Sequence, residues 1–426
     1  MTSDRADREA PEEAYVWIWL PGATAPVVAG RIARDGERLL FNYGQSYLAR
    51  GDRIPIYEPE LPLRSGAITP DAGLRMAGCL RDAAPDAWGR RVILNRTFGR
   101  KGTDIDVDAL DELTYVLESG SDRIGALDFQ RSPSEYVPRA AQTATLEELQ
   151  SAAERVEEGV PLTPELDLAL FHASSLGGAR PKAMIQDGDT KMIAKFSSRT
   201  DTYNVVKAEY VAMRLAARAG LDVAPVRLVH AAGKDVLLVE RFDRGRTKDG
   251  WTRNAMVSAL TLFGLDEMMA RYASYEDLAE IIRHRFTSPR ATLHELYGRL
   301  VFNILCGNTD DHARNHAGFW DGKHLALTPA YDICPQSRSG NVASQAMLIV
   351  GDNRASTLAT GLQAAPSFQL DEKAAKDIIA RQIGTIRDAW DDICQEAALT
   401  EVERDLLGQR IFLNDYIFEG TAEEAW

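Results

Sequence analysis

Cysteine is scarce. The 426 residues hold four (Cys79, Cys306, Cys334, Cys394), and no two stand in C-x-x-C spacing. That excludes a disulfide scaffold and a clustered thiolate zinc site, and the four read as small apolar residues of a reducing compartment. No apolar run approaches the ~20 residues that span a bilayer. The opening segment MTSDRADREAPEEA is polar and charged, so no secretory leader is expected and the expected location is cytoplasmic. Positive charge is short as well: 49 Lys and Arg face 63 Asp and Glu, a formal net charge of −14. Such a surface opposes broad non-specific binding to phosphate backbones, but not a local basic groove or a nucleotide site. Internal repeats, low-complexity tracts, the Walker A pattern and G-x-G-x-x-G are all missing. The remainder, 45% hydrophobic and 26% charged, is ordinary for a globular chain. At roughly 100–200 residues per domain, two or three packed units are expected.

Residues 1–14 read as a tail. YVWIWL (15–20), PVVAGRIA (26–33) and ERLLFNYG (37–44) read as strands separated by Gly- or Asp-containing turns. Helical spacing marks AGLRMAGCL (72–80) and DVDALDELTYVLE (106–118). These segments make residues 15–130 a β-rich and then helical module, and the proline-bearing stretch 131–146 a linker. A mixed region spans 147–245. There TPELDLALFHASS (163–175) reads as a helix, KAMIQDGDTKMIAKFSS (182–198) as a hairpin turning at Asp187-Gly188, and NVVKAEYVAMRLAARAG (204–220) as an amphipathic helix stopped by Gly220. VRLVHAAGKDVLLVERFDR (226–244) is a second hairpin. From 246 to 426 helices dominate, at 293–307, 373–393 and 402–418, with one hairpin over 317–329 that turns at Asp321-Gly322. The fold class is α+β: an N-terminal β-rich subdomain, then a bilobal core whose C-terminal lobe is helical.

Chemistry concentrates in CGNTDDHARNH (306–316), directly after an apolar helix. Asp310 and Asn315 stand five apart, the separation of the base Asp and magnesium-binding Asn in the protein-kinase catalytic loop. A carboxylate there can orient an acceptor hydroxyl and take its proton, and an amide oxygen can ligate a hard cation without adding charge. Asp332, in LTPAYD, follows the hairpin and would bring a carboxylate to the same ion. Upstream, SSLGGARPK offers small residues whose backbone N–H groups can approach phosphates. Lys195 interrupts an apolar strand, Glu209 lies on the next helix, and VLLVERFDR (236–244) can supply an adenine hinge. Taken singly, each feature has a plainer reading. The Gly pair is a turn, Lys195 an edge lysine facing water, and DDHARNH a metal-hydrolase cluster with two carboxylates and two histidines. Their order along the chain is that of a kinase.

With these blocks on the page, the chain resembles the HipA family of serine/threonine kinases, the toxin half of HipA–HipB toxin–antitoxin modules. The blocks carrying the resemblance are FNYGQSYLAR…IPIYEPELPLRSG (41–66), AAPDAWGRR (83–91), DRIGALDF (122–129), SSLGGARPK, IAKF, ERFDR, GNTDDHARNH and LTPAYD. The resemblance implies a kinase-like core using ATP and Mg²⁺. Asp310 would be the catalytic base, and Asn315 and Asp332 the metal ligands. Gly177, Gly178, Ala179, Arg180, Pro181 and Lys182 would form the phosphate loop, with Lys195 holding the phosphates and Glu209 pairing with it. Glu240, Arg241 and Phe242 would form the hinge, with His312 and Tyr331 beside the nucleotide. Ser175 aligns with the serine that family members autophosphorylate, and Ser174 is its neighbouring alternative. Asp311 is charged where some relatives carry a small residue; the spacing to Asn315 favours Asp310 as base. The implied partners are a HipB-like DNA-binding antitoxin, operator DNA mainly through it, and a translation protein such as an aminoacyl-tRNA synthetase as acceptor, with no membrane. Other readings of the scaffold are a small-molecule phosphotransferase and a non-catalytic co-repressor subunit.

Overall fold

The computed structural model describes residues 10–98, 106, 110–139, 144–170, 175, 178–337, 340 and 342–421. The chain divides into two units: Met1–Asp201 with Val229–Val257 and Trp320–Lys323, and Thr202–Leu228 with Ser258–Phe319 and His324–Trp426.

In the first unit, β1 (Glu13–Ile18), β2 (Val27–Asp35), β3 (Arg38–Tyr43) and β4 (Leu127–Gln130) form an antiparallel sheet ordered β3-β2-β1-β4. Gly30 faces Val16 on one side and Tyr43 on the other, beside a register shift at Val16/Trp17. A Cβ at Gly30 would collide with the Asn42 carbonyl oxygen, so only glycine lets the strands close. The helix expected over 72–80 shrinks to Gly78–Arg81. Leu74 and Met76 are buried, but Gly73 turns the chain at φ +90°. The helix begins only where the Glu60 carboxylate accepts from Gly78 N (2.8 Å) and Cys79 N (2.7 Å). This cap comes from eighteen residues upstream, and local spacing does not reveal it.

The unit's other four-stranded sheet is ordered β5-β6-β8-β7, from β5 (Lys182–Asp187), β6 (Thr190–Phe196), β7 (Val226–Ala231) and β8 (Lys234–Glu240). Gly188 turns the first hairpin at φ +58°, as expected, and Gly233 turns the second at φ +78°. Alternation sends Met192, Ala194 and Phe196 into a core with Ala183, Val236 and Leu238. That core is closed by Leu149, Ala152, Ala153 and Val156 of helix Leu146–Glu157. Trp88 and Val92 of helix Ala87–Phe98 also enter it.

Strands β9 (Arg244–Thr247), β10 (Gly250–Arg253) and β11 (Ala255–Ser258) occupy a stretch read as mostly helical. The charged residues Arg241 and Asp243 just before them, and Arg244 at the start of β9, are interior. Asp122 accepts from Arg241 (3.1 Å) and Arg244 (2.8 Å), and both guanidinia also reach Asp243 at 2.8 Å. Arg123 bonds Asp128 (2.8 Å), which also holds Arg139. Burial alone would raise the Asp243 carboxyl, but Arg241 and Arg244 hold it down to about 2. Asp122 is likewise held well below the carboxylate range by Arg241, Arg244 and Lys191 against the opposing effect of burial.

The second unit is helical. Helix Val205–Arg218 ends before Gly220 (φ +86°), as its pattern predicts, and packs on helix Glu372–Glu396. Helix Pro289–Leu305 is buried from Leu296 to its end and packs on helix Tyr275–Arg285. The helix expected over 402–418 stops at Arg410, and Asp415–Phe418 is a separate 3-10 turn. Leu413 takes a left-handed φ of +49° between them and donates its N–H to Leu305 O (2.8 Å).

The buried aspartates predict an acid response. A carboxyl held near 2 when folded and near 3.9 when unfolded lends stability that is complete above about pH 4 and drains away as pH falls toward 2. Urea unfolding of Asp243→Asn between about pH 4 and 2 is therefore expected to show a shallower pH slope than the parent.

Candidate active site

Helix Pro289–Leu305 delivers the loop. Cys306 caps it, and Gly307 leaves at φ +67°, where a Cβ would press on the Ile411 carbonyl at 3.0 Å. Asn308 then ties the exit back to Asn303, N–H to carbonyl (2.9 Å) and amide to amide (3.0 Å). Farther on, Ala346 N donates to Thr309 O (3.0 Å) and Ala259 N to His316 O (2.8 Å). A short 3-10 turn, Ala313–Asn315, closes with Asn315 N donating to His312 O (2.8 Å). Loop 306–316 is thus fixed by backbone bonds at both ends.

Two adjacent carboxylates sit in opposite settings. Asp311 is buried; its Oδ2 accepts from the Tyr275 hydroxyl and meets His316 Nε2 at 3.0 Å. Burial would raise its pKa, but His316 and Tyr275 hold it below the ordinary value. Burial, and then the Asp311 charge, drive the Tyr275 hydroxyl well up. Asp310 instead stands at the loop surface. Partial desolvation raises its pKa; His312 opposes this, while Asp332 and Asp311 add to it. Asp332 is therefore an electrostatic neighbour of Asp310.

Asn315 turns its amide N–H₂ to the Asp310 carbonyl (3.3 Å), which leaves its oxygen for another role. Asp332 takes a left-handed φ of +60°, a conformation that a non-glycine residue adopts at some cost. Its segment is pinned by Ala330 N to Asp222 O (2.7 Å), Ala224 N to Ala330 O (2.9 Å) and the Tyr331 hydroxyl to Arg314 O (2.7 Å). Nδ1 of His312 is buried with no hydrogen-bond partner among the described residues. Among these residues no three His, Cys, Asp or Glu side chains group as metal ligands, and His316 is committed to Asp311. An amide oxygen and a carboxylate are hard donors, a set that suits Mg²⁺ sharing its shell with phosphate oxygens.

The remaining expected residues divide between the units. Glu209 is buried on helix Val205–Arg218 in the second. Lys195 lies on β6 in the first, on the face opposite the core, paired across the ladders with Lys182 and Leu237. Gly178 has φ +85°, and a Cβ there would strike the Lys182 ammonium. Glu240 ends β8 opposite Met192. Arg241 N donates to Lys191 O (2.9 Å) while its side chain is buried in the Asp122–Asp243 network, and Phe242 O accepts from Asn254 Nδ2 (3.3 Å). Ser175 is buried, its hydroxyl donating to Asp122 O (3.3 Å). Ser174 and Gly177 lie outside the described residues. His316 takes the hydrogen-bonding role that is the default for a lone histidine, whereas sequence reasoning missed Tyr275 and Asp122 as supports, because nothing in their local pattern separates them from surface polar residues.

Residues 174–390 match the HipA-like C-terminal domain and residues 18–130 the HipA N-terminal domain. The chain belongs to the HipA family. HipA relatives include a Sinorhizobium fredii protein named "Putative kinase Y4mE", 28% identical over 249 residues, which cover 54% of this chain and 59% of that one. The serine/threonine-protein kinase toxin HipA of Shewanella oneidensis is 25% identical over 166 residues, or 35% of this chain and 38% of the relative. The matched segments thus span well under two thirds of these relatives' length. A chain from the Shewanella oneidensis HipA, HipB and operator DNA complex shares the fold over 93% of this chain and 94% of its own, with TM-score 0.66 and 18% identity.

Two stability results are expected for this HipA protein. His316→Ala removes a partner of a buried charge and should cost about 3–5 kcal/mol in urea unfolding. Asp332→Gly should be about 1 kcal/mol more stable than Asp332→Ala, since glycine takes the left-handed backbone at little cost.

Proposed function

We propose that this HipA protein is an ATP-dependent serine/threonine protein kinase and the toxin half of a HipA–HipB module. The observation that carries the reading is the split between Asp310 and Asp311: one carboxylate is locked away by His316 and Tyr275, the other left at the surface beside Asp332 and Asn315. In this reading Asp310 orients the acceptor hydroxyl and takes its proton. Asn315 Oδ1 and the Asp332 carboxylate would hold Mg²⁺, which would neutralise charge on the ATP phosphates. Lys182 and Lys195 stand directly opposite across β5 and β6 and would offer their charges to the phosphates. Gly177 to Lys182 would meet the phosphates, Glu240 to Phe242 the adenine, and His312 and Tyr331 would flank the nucleotide. Glu209 would pair with Lys195.

The partner in this reading is a HipB-type antitoxin, as in the Shewanella complex of HipA, HipB and operator DNA. A net charge of −14 fits a chain that meets operator DNA mainly through that antitoxin. The acceptor would be a cytoplasmic translation protein, an aminoacyl-tRNA synthetase being the class the family suggests. Among the described residues no helix is long and apolar enough to cross a membrane. Ser175 would be the self-modified residue, with Ser174 the alternative. Ser175 is only 2% exposed, so its segment must open before the hydroxyl can accept a phosphoryl group.

The test is transfer from γ-labelled ATP to proteins of a host lysate. Asp310→Asn should lower labelling about 10²–10⁴-fold while nucleotide binding survives. Equal labelling by parent and variant would remove Asp310 from the chemistry.

A further inference from the structure

Three bonds from the N-terminal domain hold the glycine loop of the first unit. The Asp86 carboxylate accepts from Gly178 N (2.8 Å), Trp88 N donates to Gly178 O (3.0 Å), and the Trp88 indole N–H donates to Lys182 O (2.9 Å). Phe196 N takes the Pro181 carbonyl (3.0 Å). The apex Ala179–Arg180 is thereby bracketed: both backbone groups of Gly178 are engaged before it, and the Pro181 and Lys182 carbonyls after it. Trp88 is fully buried, with its ring in the core beneath β6 and β8, so the bracket is anchored in the sheet that carries Lys195. Gly178 is held at φ +85°, a conformation that glycine otherwise leaves freely.

We propose that Asp86 and Trp88 are positioning residues for the glycine loop, so that residues of the N-terminal domain set the affinity of the nucleotide-phosphate site. The inference deepens the kinase reading and rests on it. A loop that must be ordered on binding pays that entropy out of its affinity, and a loop already clamped does not. Asp86 and Trp88 act through the loop backbone they bond, so their loss should appear in KM for ATP and leave kcat at saturating ATP nearly unchanged.

The experiment compares Asp86→Ala, Asp86→Asn and Trp88→Phe by ATP titration, by steady-state kinetics and by hydrogen exchange of residues 178–182 in the nucleotide-free protein. Asp86→Ala should raise the ATP Kd and KM about 5–10-fold, with kcat within about twofold and faster exchange at Gly178. Asp86→Asn keeps an acceptor oxygen and should recover most of the affinity. Trp88→Phe keeps the ring in the core and should lose about threefold through the missing indole donor. Unchanged exchange at Gly178 in Asp86→Ala would overturn the clamp whatever the protein does with ATP. Tighter ATP binding by Asp86→Ala would also overturn it, showing that the carboxylate plugs the loop instead of shaping it. If the parent binds no ATP, the kinase reading fails, and the exchange data still decide whether the clamp exists.

Discussion

A carboxylate removed from water needs donors, and Asp311 finds them in His316 Nε2 and the Tyr275 hydroxyl. The consequences run along the whole loop. With Asp311 turned inward, its neighbour Asp310 is directed to the surface, and with His316 engaged the 3-10 turn Ala313–Asn315 is fixed at its far end. Asn315 then folds back on the Asp310 carbonyl. One buried charge thus sets the orientation of two polar side chains, at the cost of leaving the loop intolerant of losing either donor. The strained backbone of Asp332 belongs to the same logic: its segment is tied down before it at Ala330 and Tyr331 and after it by Gln336 N donating to Gly307 O (3.0 Å), so the left-handed conformation persists.

The first unit uses buried charge differently. Arg123, Arg241 and Arg244 are interior, and their donors outnumber the carboxylate oxygens of Asp122, Asp128 and Asp243. Backbone carbonyls of Ala83, Gly125 and Arg123 take up part of the surplus. Such a network is weak evidence for stability, because desolvation offsets much of the attraction. It does specify which segments meet. Residues 122–128 of the N-terminal domain are bound to residues 241–244 at the end of β8 and the start of β9. Ser175 joins the same place through the Asp122 carbonyl.

Much of the fold was legible because local patterns agreed with the tertiary outcome. Helix Val205–Arg218 has its apolar stripe and Gly220, and the hairpins have Asp187-Gly188 and Asp321-Gly322 at their turns. The misses share a physical cause, in that a distant group decided the local structure. Glu60 starts the helix at Gly78, Leu413 leaves helical conformation and bonds Leu305, and Asp122 and Asp243 hold Arg241 and Arg244 in the interior. The proposed catalytic loop could be picked out by spacing alone, since Asp310 and Asn315 lie in one short segment. Its support Tyr275 could not be, because it reaches Asp311 across thirty-six residues. Trp88 likewise meets the glycine loop from ninety-four residues away.

The central claim is that one anchored loop and one strained aspartate gather a divalent ion onto a nucleotide. The most direct measurement is electron paramagnetic resonance of Mn²⁺ titrated into the full chain with and without a non-hydrolysable ATP analogue. The account predicts nucleotide-dependent Mn²⁺ binding that Asp332→Ala and Asn315→Ala abolish and Asp310→Asn retains. Mn²⁺ binding that persists in both ligand variants, or that needs no nucleotide, would contradict it.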